Sequence, residues 1–216
     1  MIVLLNGAAS AGKTSTAQAL QLLWERPLLH AGIDLFSRMV PENRIGFDAP
    51  PGSPAREGFH WLTALENGEP VMRLQAGPMA EKLMRDMRRV LARIAELGND
   101  LVVDEMLLER EWVADYLEVF PTYDVWLIGV RCSLETLVRR ERERGRRVLG
   151  QARATAAAAH AHCLYDLELD TERYSPVECA RQIVARVTQG APASAFAELR
   201  RRLAGHAHLA DPLDLA

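Results

Sequence analysis

Near the start of the chain, Gly7-Ala-Ala-Ser-Ala-Gly12-Lys13-Thr14 matches the pattern G-x-x-x-x-G-K-[ST]. Chemistry with phosphate needs this arrangement. The glycines let the chain curl so that successive N–H groups face one anion, and the following helix N-terminus adds partial positive charge. In this reading Gly7, Ala8, Ala9, Ser10, Ala11, Gly12, Lys13, Thr14 and Ser15 form a nucleotide cradle. Lys13 reaches the β- and γ-phosphates of ATP, and the Thr14 hydroxyl ligates Mg²⁺. The plain alternative is a turn that happens to hold a lysine. Context argues against it, because a strand-like Ile2–Leu5 precedes the pattern and a helical Thr14–Trp24 follows.

Two carboxylates stand at the ends of other apolar runs. Leu101-Val-Val-Asp104-Glu105 offers Asp104 as a holder of the Mg²⁺ water shell, with Glu105 sharing the role or facing solvent. Asp34 ends the run Leu28–Ile33. It is placed either to accept the proton of an attacking hydroxyl or to cap a helix, and spacing alone leaves the two level. The run Arg139-Arg-Glu-Arg-Glu-Arg-Gly-Arg-Arg147 has three readings: a nucleic-acid patch, a solvated helix face, or a lid closing over the transferring phosphoryl group. Beside a phosphate cradle the lid is favoured for Arg144, Arg146 and Arg147, with Arg139 and Arg140 as surface pairs. His160 and His162 lack a third ligand and are read as packing residues rather than a metal site.

The elements that must position these groups alternate. Short apolar runs at 2–5, 28–33, 101–103 and 125–130, and an alternating stretch at 164–169, read as strands. Helical patterns fall at 14–24, 78–96, 108–116, 134–144, 155–162, 176–187 and 195–204. Residues 41–60 read as loop, from their prolines and glycines. Alternation of this kind predicts an α/β fold with a parallel sheet covered on both faces and ligands at the carboxyl ends of its strands.

Bulk properties narrow the class. The 216 residues are 49% hydrophobic, enough for one large domain with its own core. The net charge of −3 gives no global reason to expect nucleic acid. Three scattered cysteines, with no paired spacing, point to a reducing cytoplasm. No apolar run is long enough for a membrane span, and the first one is too short, and lacks a basic flank, for a signal peptide.

Together these residues resemble the chloramphenicol phosphotransferase-like group of P-loop kinases. The resemblance rests on Leu4-Leu-Asn-Gly-Ala-Ala-Ser-Ala-Gly-Lys-Thr14, Gly32-Ile-Asp-Leu35, Leu101-Val-Val-Asp-Glu105, Val125-Trp-Leu-Ile-Gly-Val-Arg-Cys132, Arg144-Gly-Arg-Arg-Val-Leu-Gly150 and Tyr165-Asp-Leu-Glu-Leu-Asp-Thr171, in that order. It implies a P-loop fold with a five-stranded parallel sheet of order 2-3-1-4-5. It implies transfer of the ATP γ-phosphoryl group to a hydroxyl of a small molecule, such as chloramphenicol or another antibiotic, with a role in resistance. It makes Asp34 the general base and puts the lid arginine at Arg147 or Arg144. A kinase domain at 1–188 would contain the acceptor segment (about 36–80) and the lid (about 139–150). Residues 189–216 form an extension whose stripe of Phe196, Leu199 and Leu203 packs on the body or on a second subunit of a homo-oligomer. Within 36–80, Arg38, Arg56, His60 and Arg73 would make a polar wall, and Phe36, Met39, Phe47, Trp61 and Met72 an apolar one. Other functions fit the same scaffold: a kinase of a nucleoside or other metabolite, and a nucleotide-binding switch without small-molecule transfer or a nucleic-acid end-processing protein.

Overall fold

The structure, a computed structural model, describes residues 1–121, 124–145 and 149–207. Five parallel strands form the central sheet. They are β1 (Ile2–Asn6), β2 (Leu28–Gly32), β6 (Asp100–Glu105), β7 (Val125–Arg131) and β8 (Leu167–Asp170). Their spatial order is β2-β6-β1-β7-β8, which is 2-3-1-4-5 when these five are counted alone, as the resemblance implies. The three inner strands, β6, β1 and β7, are buried along nearly their whole length because both faces are covered, while the edge strands β2 and β8 carry exposed residues. On β1, Ile2 and Leu4 face one core while Val3 and Leu5 face the other. The first core is closed by α3 (Pro78–Glu96), α4 (Arg110–Val119) and α8 (Ala195–Ala207). The second is closed by α1 (Lys13–Leu23), α5 (Leu134–Arg144), α6 (Gln151–Ala156) and α7 (Pro176–Gln189).

The extension is part of the body. Ala195, Phe196 and Leu199 of α8 are buried in the first core. The Arg200 guanidinium donates to the carbonyls of Leu117 and Phe120 at the end of α4. Asp166 fastens the start of this helix, accepting from Ser194 N (2.7 Å) and Ala195 N (3.0 Å), while its other oxygen accepts Leu127 N (3.0 Å) from β7.

The expected loop at 41–60 is only partly loop. A second sheet lies there, made of β3 (Ile45–Phe47), β4 (Phe59–Glu66) and β5 (Glu69–Ala76) in that order. β4 and β5 form a hairpin through Asn67 and Gly68, both at positive φ (52° and 77°). Asn-Gly between alternating strands is the signature of such a turn, and it stands in the sequence. On this hairpin Phe59 and Trp61 share a face with Met72 and Leu74.

Candidate active site

The cradle runs from the end of β1 into α1, as its pattern predicts. Ser10 (φ 66°) and Gly12 (φ 95°) adopt left-handed backbone, and this curls the loop ahead of the helix. Lys13 Nζ folds back onto the loop and donates to Gly7 O (2.8 Å) and Ala8 O (2.9 Å). The Thr171 hydroxyl, just past β8, donates to Ala11 O at 2.8 Å. Asn6, fully buried beneath the loop, donates to Ala159 O (2.6 Å) and Tyr165 Oη (2.9 Å) and accepts Leu107 N (2.8 Å).

Asp104 stands across the loop on β6, next to β1. Thr14 Oγ1 donates to its Oδ2 at 2.7 Å, and His30 Nε2 on β2 is 3.3 Å from the same oxygen. Burial pushes this carboxyl up, but hydrogen bonds from His30 and Thr14 and the charges of His30 and Lys13 outweigh it. The net effect holds Asp104 below the usual carboxylate range, hence ionised. The neighbouring strand depends on Gly32, since a Cβ there would lie 2.2 Å from Asp104 Oδ1 and 2.4 Å from its carbonyl oxygen.

Glu105 borders the same cleft as Asp104, but its carboxylate does not face solvent. It is 4% exposed, points to the opposite side of the strand and accepts the Tyr116 hydroxyl at 3.0 Å. Burial raises its pKa to about 7, against the opposing charge of Arg88 and the Tyr116 hydrogen bond.

Asp34 lies in the first turn of the short helix α2 (Ile33–Ser37). The N-cap there is Gly32, so Asp34 is not the cap. It borders two spaces at once. One is the cleft it shares with Lys13, Thr14, Asp104 and Arg144. The other is a pocket of about 250 Å³ walled by Phe47, Phe59, Trp61, Met72, Leu74, Met106 and Leu108. Phe47 and Trp61 stack there at 5.2 Å. The polar groups on that wall are Asp34, Ser37, Gln151 and Thr155.

Of the wall candidates, Phe47, Trp61 and Met72 line this pocket. Phe36 packs against the first core and Met39 is exposed. Of the four expected polar groups, three are engaged elsewhere: Arg56 donates to Ala49 O (2.8 Å), His60 pairs with Gln75 (3.0 Å) and Arg73 with Glu66 (2.5 Å); the fourth, Arg38, is exposed and outside the lining.

In the basic run, Arg139 pairs with Glu143 at 3.4 Å on the helix surface. Arg140, also expected to be a surface pair, instead donates to Thr171 Oγ1 (3.0 Å) and Thr171 O (2.6 Å). It borders a third cleft beside the loop with Ser10, Gly12, Ser15, Arg144 and Tyr174. Arg144 therefore sits between that cleft and the Asp34 cleft. Arg146 and Arg147 lie outside the described residues. His160 makes a 2.6 Å hydrogen bond with Tyr165 Oη, and burial together with the nearby Arg131 charge lowers its pKa to about 4. Among the described residues no group of three His, Cys, Asp or Glu is placed to hold a metal, and no helix is long and apolar enough to cross a membrane.

Four contributors escaped the sequence reading: His30, Arg140, Gln151 and Thr155. Each comes from an element other than the loop it serves. Thr171 was visible as the end of Tyr165–Thr171, but its role as the support of Ala11 was not.

Comparison with known proteins agrees with this geometry. Residues 1–188 match the family model described as chloramphenicol phosphotransferase-like protein. A Mycobacterium tuberculosis H37Rv protein named "Putative O-phosphotransferase Rv2636" is 37% identical over 202 residues, covering 93% of this chain and 88% of its own. Among solved structures, a sugar kinase from Janibacter sp. HTCC2649 superposes with a TM-score of 0.57 at 17% identity, covering 85% of this chain and 92% of its own. The Mycobacterium tuberculosis APS kinase CysC, in complex with AMPPNP and APS, also scores 0.57, at 16% identity and over 85% and 94% of the two chains. These two establish the P-loop kinase fold, and the family match with the 37% identical relative marks a kinase-type phosphotransferase. The chain belongs to the chloramphenicol phosphotransferase-like family.

Proposed function

We propose that the protein is an ATP-dependent O-phosphotransferase acting on a hydroxyl of an uncharged small molecule with an apolar body; chloramphenicol and other antibiotics are the first candidates. The observation that carries this reading is the position of Asp34, which borders both the Lys13 cleft and the aromatic pocket. An acceptor seated against Phe47 and Trp61 would present its hydroxyl to Asp34 with the γ-phosphorus beyond. Asp34 then accepts the hydroxyl proton as the acceptor oxygen bonds to phosphorus and the bond to the ADP oxygen breaks. Lys13 and Arg144, with Arg147 from the undescribed stretch, balance the charge on the transferring group.

Mg²⁺ fits the donors present. A threonine hydroxyl and an ionised carboxylate, 2.7 Å apart, are hard oxygen ligands. Thr14 would bind the ion directly and Asp104 through water. When bound, the ion neutralises phosphate charge. An anionic acceptor is disfavoured, since no Lys, Arg or His is among the described residues lining the pocket. Such chemistry belongs in the ATP-supplied cytoplasm, and resistance is the physiological role it suggests.

The test is transfer of label from γ-labelled ATP with Mg²⁺ to a panel of chloramphenicol, other hydroxylated antibiotics, nucleosides and sugars. Lys13→Ala should abolish turnover. Asp34→Asn should keep ATP affinity within about twofold and cut transfer by about 10² or more, the scale of a general base. An equal loss of ATP affinity in Asp34→Asn would give that residue a metal-binding or structural role instead.

A further inference from the structure

Thr155 sits where the aromatic pocket and the phosphate cradle meet. Its hydroxyl oxygen accepts the Ala9 N–H at 2.9 Å and donates to Gln151 O at 2.8 Å. The side chain is buried, yet it borders the aromatic pocket. The Ala9 N–H belongs to the Ala8–Ala9 peptide. The carbonyl of that same peptide, Ala8 O, accepts Lys13 Nζ at 2.9 Å and Ala11 N at 3.2 Å. The chain has no cis peptide among its described residues, and a trans peptide points its N–H and C=O in opposite directions. Holding the N–H end therefore aims the carbonyl that holds the lysine.

Thr155 is itself well anchored. The buried Glu141 carboxylate accepts Gly150 N (2.9 Å) and Ala152 N (3.0 Å) at the start of α6. Gly150 O accepts Met72 N (3.1 Å) from the acceptor hairpin, and Arg153 pairs with Glu69 (2.9 Å) on the same hairpin. Helix α6 is thus fixed to the acceptor wall on one side and to the cradle on the other.

We infer that Thr155 is a positioning residue for Lys13, setting the lysine through the Ala8–Ala9 peptide plane. This rests on the reading of Gly7–Thr14 as a nucleotide site. The consequence is selective. Lys13 serves the β- and γ-phosphates, so loss of Thr155 should weaken ATP and ADP but spare AMP.

The experiment is equilibrium binding of Mg²⁺-ATP, ADP and AMP to the full chain, comparing wild type, Thr155→Val and Thr155→Ser. Valine keeps the shape and removes the hydroxyl, leaving a buried N–H without its partner. Thr155→Val should bind ATP and ADP about tenfold more weakly and AMP within twofold of wild type. Thr155→Ser should restore both. Wild-type ATP affinity in Thr155→Val overturns the inference, and so does an equal loss for AMP, which would mean a general distortion. A wild-type protein that binds neither ATP nor ADP would instead remove the nucleotide reading, and the inference with it. Should Thr155→Val fail to fold, hydrogen exchange in the wild type decides. A protected Ala9 amide supports the inference, and exchange at the rate of an unstructured chain refutes it.

Discussion

Glu105→Gln should reshape the pH dependence of stability. Glu105 sits at the end of β6, buried, with the Tyr116 hydroxyl on its Oε1 and Arg88 stacked 5.1 Å over the Tyr116 ring. Burial raises its pKa from the ordinary 4.5 to about 7. In the unfolded chain it loses its proton near 4.5, while in the native protein it keeps the proton until about 7. Between those values the native state binds more protons, so this group's contribution is full below 4.5 and is lost as pH rises through 7. At about 1.4 kcal/mol for each pH unit, the loss comes to about 3 kcal/mol. Glutamine mimics the protonated form, can still accept from Tyr116, and does not titrate.

Urea unfolding of wild type and Glu105→Gln at pH 5, 6, 7 and 8, without nucleotide or Mg²⁺, measures the difference directly. Other titrating groups largely cancel in it, including His160 (pKa about 4), whose lowered pKa favours the native state as pH rises. Relative to wild type, the glutamine variant should gain about 2–3 kcal/mol between pH 5 and 8, since part of the loss falls below pH 5, with unchanged m-values. A difference that stays flat with pH, or that grows in favour of wild type, would refute the buried and protonated assignment.

Two further changes probe the scaffold. Gly32→Ala puts a Cβ against Asp104 Oδ1 and its carbonyl, so thermal unfolding should report a loss of about 1–3 kcal/mol and Mg²⁺-dependent ATP binding should weaken; normal behaviour on both would mean that β2 shifts without cost. Asp166→Ala removes the acceptor for Leu127 N, Ser194 N and Ala195 N, so stability should fall by about 2–3 kcal/mol. Limited proteolysis should then cut ahead of α8, and an uncut tail would show that Phe196 and Leu199 suffice to hold it.

Local chemistry was legible in the sequence wherever one short segment supplies it. The cradle needs Gly12 at positive φ, a lysine and a helix start, all within Gly7–Thr14. The parallel sheet needs apolar runs separated by helices, and the runs at β1, β6 and β7 leave little choice. Helices α3 and α5 begin and end where their patterns place them, because Pro78 and Gly98 bracket one, and Ser133 and Gly145 the other.

What only the tertiary structure decided is where separate segments meet. Sequence spacing leaves Asp34 level between cap and base; only the fold shows that Gly32 is the cap and that Asp34 borders both the Lys13 cleft and the aromatic pocket. Glu105 follows Asp104 by one residue, yet the pleat sends its side chain to the opposite face, so one carboxyl is held below the usual range and burial raises the other to about 7. Arg140 looks like any residue of a charged helix face until β8 brings Thr171 beneath it. Thr155 lies 146 residues from the amide it holds. A hydrogen bond carries no mark of sequence distance, so such pairings become readable only once the chain has folded.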